Sequence, residues 1–102
     1  MAFVPVAQVM EIAPGQVKIV ETGGQKIALC NVNGAFHAIE DRCSHDDGPL
    51  GEGALQDKLL ECPRHGAKFD VTSGRPVTLP AVVPVKRFPV KVEGNQILIE
   101  VS

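Results

Sequence analysis

An all-β fold is what this sequence predicts, and three observations carry the prediction. Its apolar residues come in short runs rich in Val and Ile. Gly, Pro and Asn interrupt those runs every few positions, and apolar residues nowhere recur with the 3.6-residue period of an amphipathic helix. Taken in order, Phe3 to Val9 reads as a first strand whose early Pro5 suits a sheet edge, where a missing N–H costs no ladder bond. Ala13-Pro14-Gly15 turns the chain. Gln16 to Glu21 and Gln25 to Val32 flank Gly23-Gly24, and Asn33-Gly34 leads into Ala35 to Glu40, so two two-residue hairpins give a three-stranded meander.

The returning strand delivers Asp41-Arg42 into a stretch poor in regular structure. Gly48-Pro49-Leu50-Gly51-Glu52-Gly53 holds too many breakers for a helix and reads as irregular chain. Lys58 to Glu61 and Lys68 to Val71 are short strands, the second closed by the turn Thr72-Ser73-Gly74-Arg75. Pro76 to Pro84 is punctuated by prolines and cannot pair fully in a sheet. Val85 to Glu93 and Gln96 to Val101 flank Gly94-Asn95, a third hairpin that rejoins the N-terminal strands. The expected organisation is a single domain in which residues of about 41–76 form a small lobe inserted in a base lobe made of 1–40 and 77–102.

Composition narrows the function classes. A chain of 102 residues has room for one modest core and no second active site. Its net charge of -2 argues against nucleic acid, whose phosphates need a basic surface, and four Phe with no Trp or Tyr leave little to stack on bases. Met1-Ala-Phe-Val-Pro-Val lacks a basic region followed by a long apolar run, and no stretch approaches bilayer-spanning length. A soluble, cytoplasmic monomer is expected. The three cysteines are an odd number, which gives a disulfide framework no support.

The chemistry is concentrated between Cys43 and His65. Cys43-Ser44-His45 and Cys62-Pro63-Arg64-His65 form the pattern C-x-H-x16-C-x2-H, so each short loop offers one thiolate and one imidazole. Zinc fingers pair cysteine with cysteine and histidine with histidine along the chain. Mixed pairs suit a [2Fe-2S] centre in which two cysteines hold one iron and two histidines the other. A single structural zinc bound by the same four side chains, giving a zinc-stabilised interaction module, and four unconnected residues are the plainer readings.

The residues that follow extend the pattern. Cys43-Ser-His45 and Cys62-Pro-Arg-His65-Gly66, then Phe69-Asp70 and Thr72-Ser73-Gly74, resemble a Rieske protein. The likeness is to the small Rieske-type ferredoxins of ring-hydroxylating dioxygenases, of the biphenyl, naphthalene or carbazole type. It implies the Rieske fold, an antiparallel β-sandwich base lobe carrying an inserted cluster-binding lobe, and one [2Fe-2S] cluster held by Cys43, His45, Cys62 and His65. It further implies that His45 and His65 form an exposed edge at a tip, and that Leu79 to Pro84 is a proline-containing cover over the cluster.

Charge counting explains the histidines. Two ferric ions, two sulfides, two thiolates and two neutral imidazoles sum to zero, so adding an electron costs less than with four thiolates, and Rieske potentials lie at roughly -150 to +300 mV. High-potential members of the family add two loop cysteines in a disulfide, and a Ser and a Tyr that donate to sulfur. Matched onto this chain those positions hold Gly48, Arg64, Ala67 and Phe69, so all four features are missing and the low end of the range is expected. The resemblance then implies a one-electron carrier between an NADH-dependent flavin reductase, acting as ferredoxin reductase, and a terminal oxygenase. The chain is not expected to be the oxygenase itself, which needs a mononuclear iron commonly held by two histidines and a carboxylate, because only His37 remains. The alternative within the same fold is the small subunit of an assimilatory nitrite reductase, which often lacks the ligands.

Other residues have blander expectations. Cys30 lies in an apolar strand and reads as a buried core thiol. His37, between Phe36 and Ala38, reads as a surface or packing histidine. Gly66 serves either a close backbone approach to sulfur or an ordinary turn. Asp46, Asp47, Glu52 and Asp57 are either an acidic docking face or a solvated loop, and Arg64 between two ligands runs against a uniformly acidic face.

Overall fold

The computed structural model describes residues 2–42, 50–63, 66–79 and 83–101. Eleven strands run through them: β1 (Ala2–Gln8), β2 (Val17–Thr22), β3 (Gln25–Val32), β4 (Ala35–Glu40), β5 (Leu55–Gln56), β6 (Leu59–Glu61), β7 (Lys68–Asp70), β8 (Arg75–Pro76), β9 (Arg87–Phe88), β10 (Val90–Glu93) and β11 (Gln96–Val101). No α-helix occurs among the described residues. A 3-10 turn over Val9–Glu11, which the sequence did not announce, follows β1. No helix among the described residues is long and apolar enough to cross a membrane.

All strand pairs are antiparallel, in three sheets ordered β1-β11-β10, β2-β3-β4-β9 and β5-β6-β7-β8. The expected hairpins are present for the expected reason. Gly23-Gly24 and Asn33-Gly34 have positive φ at both positions, the backbone that matches a two-residue turn to the right-handed twist of its strands. Pro5 sits in the edge strand β1, and the register with β11 shifts between Pro5 and Ala7.

The middle sheet, β2-β3-β4-β9, organises the molecule. Every residue of β3 from Ile27 to Asn31 is buried, so the strand shows no alternation of apolar and polar positions. Both of its faces are covered. On one side Ile27, Leu29, Ala38 and Phe88 pack against Ile97 and Ile99 of the outer sheet. On the other, Ala28, Cys30 and Ile39 pack with Leu50, Leu60, Cys62, Phe69 and Val71, which belong to the small sheet β5-β6-β7-β8 and its approach. Asn31 is the buried polar residue among those described. Its amide donates to the Ile12 carbonyl (2.8 Å) and accepts from the Gly34 N–H (2.7 Å), which satisfies both ends.

One expected strand is corrected. Val85 to Glu93 is not continuous: β9 pairs with β4 in the middle sheet, β10 pairs with β11 in the outer sheet, and Pro89 is the crossing point. Proline has no N–H to continue either ladder, while its carbonyl still accepts from Glu100 (3.0 Å). Two strands, β5 and β8, were not expected, because two residues carry no readable alternation. The β7–β8 turn is tied to the middle sheet: the Val85 N–H donates to the Gly74 carbonyl (2.8 Å) and Arg87 Nη1 to the Thr72 carbonyl (2.8 Å). Gly74 has φ +81, and a Cβ there would lie 2.4 Å from the Val85 carbonyl oxygen, so only glycine permits this approach.

Candidate metal centre

β6 and β7 pair from Leu59↔Asp70 to Glu61↔Lys68, and the residues between them make a short loop. Two backbone bonds tie its ends: the Cys62 N–H donates to the Ala67 carbonyl (2.6 Å), and the Gly66 N–H to the Cys62 carbonyl (3.0 Å). Gly66 has φ +75, yet a Cβ there would meet nothing described nearer than Glu61 Oε2 at 3.7 Å. The positive φ fits the turn reading of Gly66.

Cys62 is fully buried and is not in a disulfide. It packs with Leu50, Leu60, Ala67 and Phe69. A dry sulfur at the foot of a tied loop suits a metal thiolate, since a cation offsets the charge that burial would otherwise penalise. Of the four predicted ligands this is the one placed here. Cys43, His45 and His65 lie outside the described residues, as do Gly48 and Arg64. Among the described residues, no group of three or more His, Cys, Asp or Glu side chains gathers at a metal-binding distance. Ala67 and Phe69 are both fully buried beside Cys62, and neither has a hydroxyl to offer.

The start of the proline-rich segment is fastened to this loop. The Val77 N–H donates to the Lys68 carbonyl (2.7 Å), the Lys68 N–H donates to Thr78 Oγ1 (3.0 Å), and the Thr78 hydroxyl reaches the Gly66 carbonyl (3.5 Å). Thr78 was not singled out in the sequence, where a threonine in a proline-punctuated stretch gives no sign of its partners. Of the expected cover, Leu79 and Val83 are exposed, at 77% and 55%, and residues 80–82 lie outside the described set.

The two bystanders behave as expected. Cys30 is fully buried, and burial pushes its thiol up to about 12, so it stays protonated. His37 sits opposite Cys30 on β4. Partial burial and then the Arg87 guanidinium draw its pKa below the ordinary histidine value, against the opposing pull of Asp70. A neutral packing histidine follows.

Where the chain leaves β4, an open groove of about 790 Å³ is lined by Glu21, Glu40, Asp41 and Glu52 against Lys26 and Arg42, among others. Of the four acids proposed for a docking face, Glu52 lines this groove, Asp57 is exposed at the β5–β6 turn, and Asp46 and Asp47 lie outside the described residues. Glu21, Glu40 and Asp41 are additions that sequence order could not reveal, because β2 and β4 are brought to the same mouth by folding.

Residues 2–89 match the family described as Rieske [2Fe-2S] domain. The ferredoxin component of biphenyl 2,3-dioxygenase from Rhodococcus jostii (strain RHA1) is 43% identical over 102 residues, spanning all of this chain and 95% of that protein. The ferredoxin of carbazole 1,9a-dioxygenase from Nocardioides aromaticivorans IC177 superposes with a TM-score of 0.92 at 32% identity, over 97% of both chains. A solved complex of reduced oxygenase and oxidised ferredoxin in carbazole 1,9a-dioxygenase contains a chain with a TM-score of 0.91 at 33% identity, covering 95% of this chain and 91% of that one.

Proposed function

The chain belongs to the Rieske [2Fe-2S] domain family, and on that premise we propose that it is the ferredoxin of a ring-hydroxylating dioxygenase system, passing single electrons from an NADH-dependent flavin reductase to a terminal oxygenase. It is an electron-transfer component with one Rieske-type cluster, not the catalyst. What carries the reading is a likeness to dioxygenase ferredoxin components that runs the whole length of the chain.

When bound, the cluster supplies reversible storage of one electron. The residues of this chain do the rest. Cys43 and Cys62 would hold one iron, and His45 and His65 the other. The buried, disulfide-free Cys62 at the base of a tied loop supports its part of that assignment. Thr78 and Val77 keep the second loop fastened to the segment that follows β8. Ala67 and Phe69 withhold hydrogen bonds from sulfur, which favours a low potential. The small sheet, set between β4 and β9 in the chain, supports a cluster-binding lobe of about 41–76 inserted in a base lobe. A cytoplasmic monomer is part of the same proposal.

The carboxylates around the groove give the docking surface an excess of negative charge. Partners with complementary basic patches would be steered by it, and salt would screen the attraction over a Debye length of about 8 Å at physiological ionic strength. Reduction of the terminal oxygenase by this protein, followed by stopped flow, is expected to slow severalfold as ionic strength rises. A rate indifferent to salt would remove electrostatic docking from the account.

A further inference from the structure

We propose that Asp41 is a positioning residue for the metal centre: its carboxylate clasps the chain where it returns from the first ligand loop, and so fixes how Cys43 and His45 are presented. The inference rests on the reading of those two residues as ligands.

The chain leaves the middle sheet at Asp41 and is described again from Leu50. Both ends are anchored in the fold. At the departing end the Asp41 N–H donates to the Lys26 carbonyl (2.9 Å), and the Glu40 N–H to the Lys86 carbonyl (2.9 Å). At the returning end Leu50 is fully buried in the core that holds Cys62, and its carbonyl accepts from the Gly53 N–H (3.0 Å). Joining them, Asp41 Oδ1 accepts the Gly51 N–H at 2.6 Å, a short, part-buried bond with a charged acceptor.

The backbone goes out of its way to make this contact. A Cβ on residue 51 would fall 1.8 Å from Ile19 Cδ1 and 3.2 Å from Asp41 Oδ1, so the chain at Gly51 is pressed between β2 and the carboxylate. The space is closed by side chains alone, the tip of the partly exposed Ile19 and the carboxylate, so a larger residue at 51 would have to displace Ile19. The second ligand loop is tied by its own backbone, Cys62 to Ala67. Among the described residues the ends of the first are joined by no backbone bond, and the Asp41 side chain takes that role. Loss of the bond from Gly51 to Asp41 frees the two ends relative to each other, and the wider range of end-to-end arrangements opposes a fixed ligand geometry.

The rival account is that Asp41 matters only as a negative charge near the cluster. Three variants of the full-length holoprotein separate the two: Asp41→Asn keeps an acceptor oxygen in place and drops the charge, Asp41→Glu keeps the charge and moves the acceptor out by a methylene, and Asp41→Ala loses both. The readouts are the rate of cluster loss to a chelator, the electron paramagnetic resonance spectrum of the reduced form, and hydrogen exchange of the peptide containing Gly51. Asn is expected to stay within a fewfold of the native protein, since a neutral oxygen makes the same bond more weakly, while Ala and Glu lose the cluster about tenfold faster or more, the factor expected when a part-buried donor's charged partner is removed or displaced. Their spectra should shift, and Gly51 should exchange faster in Ala and Glu alone. Native behaviour in Ala, or Asn and Ala shifted alike with Glu native, would overturn the clasp. If Ala does not fold, Glu against Asn decides: faster loss in Glu supports the clasp and equality overturns it. A native protein that binds no iron would instead overturn the ligand reading beneath it.

Discussion

Cys62→Ala is expected to give protein that is colourless and holds less than about a tenth of the native iron and acid-labile sulfide, with its β far-ultraviolet spectrum retained. The side chain is fully buried, so no water or external thiol takes the vacated place easily. Cys30 belongs to the same packed core, yet it cannot substitute. It lies on β3, buried on both faces, and its thiol resists deprotonation with a pKa pushed up to about 12. The outer and middle sheets have their own core of Ile27, Leu29, Phe88, Ile97 and Ile99, so they should survive. A ligand that binds only the folded state stabilises it by RT ln(1 + [L]/Kd), about 4 kcal/mol at a thousandfold excess over Kd, so the melting temperature should drop clearly. Iron and sulfide retained near native levels in this variant would remove Cys62 from the ligand set.

Ala67→Ser with Phe69→Tyr carries the second large effect, on potential. Both positions are fully buried in the group that packs around Cys62, and neither native side chain can donate a hydrogen bond. A hydroxyl bond to sulfur that strengthens on reduction by about 1 to 2 kcal/mol shifts a one-electron couple by roughly 40 to 90 mV, at about 59 mV per tenfold change in the equilibrium constant. The pair should raise the midpoint by roughly twice that if the two bonds act independently. The extra oxygen of tyrosine must fit a filled core, at a cost of about 1 to 3 kcal/mol in stability. Protein-film voltammetry on the variant checks the sign, and an unchanged or lower midpoint would refute this account of the tuning.

How much of this was legible in the sequence depends on how local each signal is. The hairpins at Gly23-Gly24 and Asn33-Gly34 were readable because two adjacent residues determine the turn, and Pro5 marked an edge because its missing N–H is a property of one residue. The break at Pro89 was missed for the opposite reason: a proline between apolar residues shows that pairing is interrupted, not that the two halves join different sheets. β5 and β8 are made by their partners rather than by their own pattern. At the site, the pattern C-x-H-x16-C-x2-H offered four candidate ligands at once, since a metal demands particular donor atoms, and Cys62 is the one among the described residues. Asp41 and Thr78 gave no such sign. Each acts on a backbone group ten residues away, Gly51 for Asp41 and Lys68 for Thr78, and only the folded chain shows which N–H an aspartate or a threonine will meet.

The central claim is mixed ligation of one [2Fe-2S] cluster by Cys43, His45, Cys62 and His65, and the measurement that tests it most directly is nitrogen hyperfine coupling in the reduced protein grown with ¹⁵N-histidine. Only three histidines exist, and His37 lies on β4 with its pKa drawn down by burial and by Arg87. Two coupled imidazole nitrogens are predicted, both kept in His37→Asn and one lost in each of His45→Cys and His65→Cys. A reduced spectrum without imidazole coupling, or a colourless protein holding a single zinc, would contradict the account.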